Sequence, residues 1–327
     1  MQRDLFMFSN GTVKRKDNTI YLIAEDGKKR ALPIEQIENL HLFGEVSLNT
    51  AFFNYAGQRD LAVHFYNYYG FYTGSFLARE KKVSGLVTVK QSENYLQKDR
   101  RLDIAKSFIK SAVFHMLRFN RKKKNTTSYF VEEIKKLEKT INSVTSISSL
   151  MGIEGMIRQN YYRTLDEMIP DEFTFQQRSK RPPRDPFNAL ISFGNTLMYT
   201  TILSEIYKTQ LNPTISYLHE PSQQRFSLCL DLAEIFKPLF VDPLIVSLVN
   251  TKKIQLHHFD DHEGIIYLSE MGKKIFIEAF DKKLKDSIQH RQLKRKVTYR
   301  YFVRLECYKL IKHVIGDTTY KPLKAWW

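Results

Sequence analysis

The hydrophobic residues of this chain change their spacing about a quarter of the way along its 327 residues. From Leu5 to Phe76, short aromatic and β-branched runs are separated by turn-forming pairs such as Asn10-Gly11, a pattern typical of strands. After Lys82, apolar residues recur at intervals of three and four, the period of amphipathic helices. The chain is therefore predicted to have an α+β fold, with a small β-rich domain at 1–82 followed by a larger all-α domain at 83–327.

The two periods also predict the individual elements. In the first region we expect one helix at 49–58 and strands near 19–24, 32–34, 39–43, 61–66 and 70–76. In the second region we expect helices near 89–119, 131–141, 146–168, 186–208, 225–240, 243–250, 268–286 and 291–315. The basic segment at 121–127 is predicted to be an exposed loop between the first two of these helices.

The positive charge of the chain lies entirely in its second region. The chain carries 51 Lys and Arg against 35 Asp and Glu, a formal net charge of +16. Residues 1–80 hold nine of each sign, so residues 81–327 hold 42 basic and 26 acidic residues. An excess of this size usually accompanies a polyanionic partner such as nucleic acid or an anionic membrane.

The basic residues come in blocks that are spread over several predicted helices. The blocks lie at 81–82, 100–101, 121–124, 178–181 and 282–304. This distribution suits a broad surface that binds phosphates better than a single recognition helix. For any one block, the alternative is an ordinary solvated helix face.

We expect a soluble, cytoplasmic protein. The chain opens MQRDLFMF, without a basic stretch that leads into a long apolar run. No segment approaches the roughly 20 apolar residues that are needed to cross a bilayer. Cys229 and Cys307 lie inside apolar patterns and are predicted to be buried free thiols.

The sharp motifs of several enzyme classes are absent from the sequence. There is no P-loop, no GxSxG and no CxxC pair, and His219-Glu220 lacks the second His of a zinc protease helix. The remaining candidates are carboxylates and histidines that stand among apolar residues.

Glu154 is the first of these candidates, because its neighbours on a predicted helix face are apolar. They are Leu150, Ile157 and Tyr161. A buried carboxylate needs a cation, which is either Arg158 at i+4 or a cation from elsewhere, a metal ion included. Gly152 and Gly155 flank Glu154, and each glycine inside a helix costs about 1 kcal/mol relative to Ala. We therefore expect another molecule to approach the helix backbone here.

Asp231 and Glu234 form the second candidate. They stand three residues apart at the margin of a predicted apolar helix face. One interpretation is a solvated face that Lys237 completes. The other is a pair of oxygen ligands for a divalent cation.

Histidines supply the third kind of candidate. His219 precedes Pro221 at a predicted transition from helix to loop, and an isolated His is more often a structural hydrogen-bonding residue than a metal ligand. A polar cluster at 257–262 is a possible adventitious metal site, with His257, His258, Asp261 and His262. We rank it below His219, because nothing ties it to a carboxylate on an apolar face.

The order of the motifs resembles the Cas1 family of CRISPR-associated endonucleases and integrases, the enzymes of spacer acquisition. A β-rich domain of about 80 residues is followed by Gly152-Ile-Glu-Gly155, Arg181-Pro-Pro-Arg-Asp-Pro-Phe-Asn, His219 and Ser227-Leu-Cys-Leu-Asp-Leu-Ala-Glu-Ile-Phe-Lys-Pro. The resemblance covers essentially the whole chain, and the combined order is specific although each motif alone is weak.

The resemblance implies a catalytic Mg²⁺ or Mn²⁺ site built from Glu154, His219 and Glu234. Asp231 is implied as a further ligand or as a residue that supports the ligands, and whether Asp231 or Glu234 touches the ion stays open. On this basis an ion is favoured over Arg158 as the partner of Glu154. The resemblance also implies a homodimer in which the β-rich domain serves dimerisation or partner contacts. Its implied partners are double-stranded DNA, as prespacer and CRISPR repeat, and the small protein Cas2.

The predicted function is therefore insertion of new spacers into a CRISPR array by attack of a 3′-hydroxyl on a phosphodiester bond. An alternative from another class is a non-catalytic DNA-binding scaffold with the same basic surface. It predicts that Glu154→Ala and His219→Ala leave biological activity intact. A nuclease of unrelated fold is a third possibility, but it gives no reason for the β-rich domain.

Overall fold

The computed structural model describes residues 3–17, 19–78, 82–124, 128–175, 177–179, 182–222 and 226–327. The chain divides into two compact units, residues 1–81 and residues 82–327. Three residues of the predicted basic blocks, Lys81, Lys180 and Arg181, lie outside the described residues. The α+β class predicted from the sequence is confirmed, since the first unit is built mainly of strands and the second mainly of helices.

The described residues of the first unit form two four-stranded sheets, one α-helix, α1 (Thr50–Gln58), and a short 3₁₀ helix, Ile34–Gln36. Its strands are β1 (Arg3–Met7), β2 (Gly11–Lys16), β3 (Thr19–Ile23), β4 (Lys29–Leu32), β5 (Ile37–Leu42), β6 (Val46–Ser47), β7 (Ala62–Tyr66) and β8 (Tyr72–Phe76). One sheet has the order β1-β5-β7-β8 and the other β4-β3-β2-β6. Apolar side chains from both sheets and from α1 form the buried core of this unit, among them Val13, Leu40 and Phe52.

The second unit is helical and also carries two β-hairpins. Its helices are α2 (Gly85–Leu96), α3 (Lys98–Lys122), α4 (Tyr129–Thr140), α5 (Ile147–Asp166), α6 (Pro186–Ile206), α7 (Ser227–Phe236), α8 (Asp242–Asn250), α9 (Glu270–Lys285) and α10 (Tyr299–Val314). A π-helical turn, Lys237–Val241, joins α7 to α8. The hairpins pair β9 (Phe259–His262) with β10 (Ile265–Leu268), and β11 (Ser287–Gln289) with β12 (Lys296–Thr298).

Two helix predictions need correction. The segment predicted as one helix at 89–119 is two helices, which separate at Gln97 because its backbone is extended there (φ −82°, ψ 103°). The helix predicted at 291–315 begins only at Tyr299, where the Thr298 side chain accepts a hydrogen bond from the Tyr301 amide and caps the helix. Residues 287–298 form the hairpin β11–β12 instead.

Helix α6 lies at the centre of the second unit and is buried along most of its length. Asp185 caps its first turn, with Pro186 at the first helical position, where a missing N–H costs nothing. A Cβ on Gly194 would come within 2.6 Å of Val241 and 2.9 Å of Phe276. The glycine therefore permits α6 to pack closely against the π-helical turn that follows α7.

None of the helices in the described parts of the chain is long and apolar enough to span a membrane. Cys229 and Cys307 are buried free thiols, as predicted. Burial raises the pKa of both.

Candidate metal and DNA site

Helix α5 presents Glu154 between two exposed glycines. The helix starts where the Ser146 side chain accepts a hydrogen bond from the Ser149 amide at 3.1 Å. The Glu154 side chain is 19% exposed. A Cβ added to Gly152 or Gly155 would meet nothing within 4 Å. The helix surface beside the carboxylate is therefore bare and open.

Helix α7 directs Asp231 and Glu234 into the protein. Their side chains are 0% and 6% exposed. The interpretation of these residues as a solvated helix face is therefore wrong, because the rest of the helix is buried on all sides as well. Each carboxylate must find its partners inside the protein.

Arg158 joins Glu154 to Glu234. Its Nε donates to Glu154 Oε1 at 3.1 Å, and its Nη2 donates to Glu234 Oε2. Lys237 Nζ donates to the second oxygen of Glu234 at 2.6 Å. The pairing of Glu154 with Arg158, which the sequence left open beside metal binding, is thus present in this structure.

The surrounding charges keep Glu154 ionised. Burial tends to raise the pKa of Glu154, but the positive charges of Arg158 and Lys237 outweigh it, and the pKa is lowered. A protonated His219 ring would lower this pKa further, so the imidazole lies within electrostatic reach of the Glu154 carboxylate.

Asp231 holds His219 rather than standing beside Glu234 as a second open ligand. Its Oδ1 accepts a hydrogen bond from His219 Nδ1 at 2.8 Å. The amides of Tyr217, Leu218 and His219 also donate to its two oxygens at 2.6–3.0 Å. Because Nδ1 of the neutral ring carries the proton, Nε2 bears the lone pair that a metal ion takes.

The loop that carries His219 is tied to distant helices by Gln91, which the sequence did not single out, and by Arg101, which the sequence placed only in a basic block. Gln91 of α2 accepts a hydrogen bond from the Asn212 amide and donates to the Asn212 carbonyl. Arg101 of α3 donates to the Tyr217 carbonyl at 2.8 Å and to Glu220 at 2.6 Å. These contacts span more than a hundred residues, and no local pattern reveals them.

Asp242 is a further buried carboxylate beside this cluster. It stands at the start of α8, is 2% exposed, and interacts electrostatically with Arg158 and Lys237. Burial raises its pKa, and those two cations only partly offset the effect. In the sequence, Asp242 is merely a polar residue before Pro243 in an apolar run.

The side chains around Arg158 are of the types that bind a hard divalent cation, but in this structure they surround the guanidinium and are not spaced to hold an ion. The Glu154 and Glu234 carboxylates come from two different helices, and the loop of His219 offers an imidazole with its Nε2 lone pair. Mg²⁺ and Mn²⁺ accept ligands of these kinds. The Arg158 guanidinium lies between the two carboxylates and supplies the positive charge that a bound ion would bring. Across the described residues, no group of three or more His, Cys, Asp or Glu side chains is spaced to hold a metal ion.

The structure therefore brings Glu154 and Glu234 together through Arg158 and holds His219 on Asp231 nearby. The lower-ranked cluster at 257–262 lies around the start of hairpin β9–β10. There the His257 and His258 rings are 4.0 Å apart, and His258 Nδ1 accepts a hydrogen bond from the Gln255 amide. This arrangement gives His258 a structural role.

Arg118 and Lys122 of α3 lie close to Lys283 of α9, which also has Asp286 3.7 Å from its Nζ. Burial lowers the pKa of Lys122, and repulsion from Arg118 and Lys283 lowers it further. An anion bound among these three side chains would relieve the repulsion. The turn of hairpin β11–β12 adds exposed cations, namely Arg291, Lys294 and Arg295. Together these residues form a candidate phosphate-binding surface.

Comparison with known proteins gives consistent matches along the chain. A family model described as CRISPR associated protein Cas1 matches residues 5–282. The CRISPR-associated endonuclease Cas1 3 of Thermodesulfovibrio yellowstonii is 53% identical over 99% of this chain and 100% of its own length. The CRISPR-associated endonuclease Cas1 of Clostridium perfringens is also 53% identical, over 100% of both chains.

A solved structure shares the fold. The structure of a Cas1 protein from Thermotoga maritima superposes with a TM-score of 0.89 at 38% identity, covering 97% of this chain and 99% of its own.

Proposed function

We propose that this chain, which belongs to the Cas1 family of CRISPR-associated proteins, is a divalent-metal-dependent DNA endonuclease and integrase. Its reaction would insert spacers into a CRISPR array. One observation supports this most strongly. Two carboxylates from separate helices, the half-buried Glu154 and the buried Glu234, converge on one cationic position beside His219. A scaffold that only binds DNA has no use for such a costly arrangement.

Glu154, Glu234 and Nε2 of His219 would hold the Mg²⁺ or Mn²⁺ ion. When bound, the ion would offset the negative charge that develops on the reacting phosphoryl group and orient the attacking oxygen. Asp231 acts as a positioning residue, because its two oxygens are already engaged by the 217–219 backbone and by the His219 ring. These contacts support Glu234, rather than Asp231, as the direct ligand.

The rest of the site binds and positions DNA. The bare helix surface at Gly152 and Gly155 leaves room for a DNA backbone to come close to Glu154. In integration, the 3′-hydroxyl oxygen of incoming DNA forms a bond to phosphorus while the bond to the leaving 3′-oxygen breaks. With water as the attacking group, the same site cuts DNA. The candidate phosphate-binding surface adds affinity without sequence information.

The family also suggests the assembly. We propose that the protein works as a homodimer with Cas2 on double-stranded DNA, and that the β-rich first unit makes the dimer or partner contacts. The neutral charge of residues 1–80 supports this division of labour, because a surface for protein partners has no need of an excess of cations.

The test is strand transfer into a supercoiled plasmid by DNA with free 3′-hydroxyl ends, in Mn²⁺ or with a chelator. We expect Glu154→Gln and His219→Ala to lower transfer at least 100-fold while DNA binding is kept. Glu132→Gln is the matched control, since Glu132 is an exposed residue paired with Lys135 on α4. Transfer that survives chelation or Glu154→Gln would support the scaffold and exclude the proposed site.

A further inference from the structure

The site contains a third carboxylate, that of Asp242, in addition to the two proposed to bind the ion. Glu154 and Glu234 contact Arg158, and Asp242 interacts with it electrostatically; Glu154 is 19% exposed, and the other two carboxylates are buried. Arg158 contacts only the first two, through Nε and Nη2. Among the described residues, the Arg158 Nη1 is buried without a hydrogen-bond partner, and so is the Asp242 Oδ2, whose neighbour is the Tyr161 hydroxyl, itself unsatisfied.

The position of Arg158 conflicts with metal binding by the proposed ligands. A divalent ion bound to Glu154 and Glu234 would share their oxygens with a guanidinium 3.1 Å from one carboxylate and in contact with the other. Two positive groups at that distance in a buried site repel each other strongly. Arg158 must therefore leave at least one carboxylate when an ion binds.

Asp242 is the partner that Arg158 can take up on leaving. The two side chains already interact electrostatically, and each has a buried polar atom to satisfy. A buried atom without a partner costs free energy that a new hydrogen bond would recover. Lys237 donates to Oε1 of Glu234 and Arg158 to Oε2, so the departure of Arg158 frees one oxygen of Glu234 for the ion.

We propose that Arg158 is the exchangeable cation of this centre: it bridges Glu154 and Glu234 in the metal-free protein and turns to Asp242 when a divalent ion takes its place. The proposal rests on the proposed function, since it assumes a divalent ion at these carboxylates. It makes Arg158 a positioning residue that keeps the empty site folded and sets how tightly the ion binds.

Binding of Mn²⁺ to the full-length protein, measured by titration calorimetry, tests the exchange without any need for activity. In Arg158→Gln the ion no longer has to displace a cation, so we expect Mn²⁺ to bind about tenfold more tightly, equivalent to ~1.4 kcal/mol. The metal-free variant should melt at a lower temperature than the wild type, and Mn²⁺ should raise its Tm by more. Weaker or unchanged Mn²⁺ binding by a folded Arg158→Gln protein would overturn the proposal.

Arg178→Gln is the matched control. Arg178 also lies near Asp242, but it donates to Asn188 and Ser192 and contacts neither Glu154 nor Glu234. We expect its Mn²⁺ affinity to stay within about twofold of the wild type. If Arg178→Gln also bound Mn²⁺ tenfold more tightly, the total positive charge near the site, and not the exchange of Arg158, would set the affinity for Mn²⁺.

Asp242→Asn distinguishes exchange from simple charge. Without its alternative partner, Arg158 is harder to displace, so Asp242→Asn alone should weaken Mn²⁺ binding severalfold. In the Arg158→Gln background the same change should have little effect, because no arginine remains to move. Additive effects in this double-mutant cycle would refute the exchange. Absence of Mn²⁺ binding by the wild type would instead refute the proposed function itself.

Discussion

Asp231 illustrates how much a single buried carboxylate can organise. It accepts hydrogen bonds from three consecutive amides, at Tyr217, Leu218 and His219, and from the His219 ring. The loop conformation and the orientation of the imidazole therefore depend on the same side chain. Asp231 of α7 thus positions the His219 loop, while Glu234, one turn later on the same helix, contacts Arg158.

We expect Asp231→Asn to destabilise the protein by about 2–4 kcal/mol, because an amide has one acceptor oxygen and its NH₂ group would face backbone donors. Urea denaturation of the metal-free protein measures the change. Asp103→Asn, at an exposed position on α3, should alter the unfolding free energy by less than about 0.5 kcal/mol. Equal stability of the two variants would contradict the organising role of Asp231.

His115 predicts a dependence of stability on pH. Burial lowers the pKa of His115 from 6.5 to about 3. The neutral ring donates from Nδ1 to the Ile235 carbonyl and accepts at Nε2 from the Ala325 amide, each at 3.1 Å. The folded state thus binds a proton less readily than the unfolded state, and stability falls as the pH drops below 6.5 towards 3.

The wild type should lose roughly 2 kcal/mol more than His115→Gln between pH 7 and pH 5. Denaturant unfolding at the two pH values gives this difference. If the two proteins lose the same stability over that interval, the ring is not held neutral by its buried position.

At the scale of elements, helix α5 combines weak helix formers with a functional surface. Gly152 and Gly155 have free space where a Cβ would stand, so packing does not require them. We expect Gly155→Ala to stabilise the protein by up to about 1 kcal/mol, because Ala favours the helix, while strand transfer falls if DNA comes close to this surface. Thermal unfolding and the transfer assay on the same preparation measure both effects. An alanine variant with full activity would show that DNA does not use the gap.

The elements show where sequence reasoning succeeds and where it stops. The period of apolar residues predicted α5 and α6 to within two residues, because each helix presents a continuous pattern between clear caps. Hairpin β11–β12 was missed, since its strands have three residues each and no visible alternation. Glu154 and Glu234 were recognised from local motifs, whereas Gln91 and Arg101 act through contacts that only the folded chain creates.

For the molecule as a whole, the uneven charge predicts a strong dependence of DNA binding on salt. We expect Lys122→Gln combined with Lys283→Gln to weaken binding at low salt and to reduce the slope of log K against log salt by about 1–2. Lys14→Gln, within the neutral stretch of residues 1–80, is the matched control and should leave the slope unchanged. Fluorescence anisotropy with one duplex over a range of salt concentrations measures the slope. A slope that the double variant does not alter would remove these lysines from the DNA surface.

The π-helical turn between α7 and α8 sets the angular phase of two carboxylates. Each residue of an α-helix advances about 100°, so the eight steps from Glu234 to Asp242 would leave the two side chains roughly 80° apart on one regular helix. Lys237–Val241 takes one extra residue into its turn, and Pro238 has no N–H to offer to a regular helical bond. The rotation from Glu234 to Asp242 about the helix axis then equals that of about seven regular steps. The two side chains therefore lie only roughly 20° apart. A one-residue deletion here would rotate Asp242 away from Arg158 while Glu234 stayed in place.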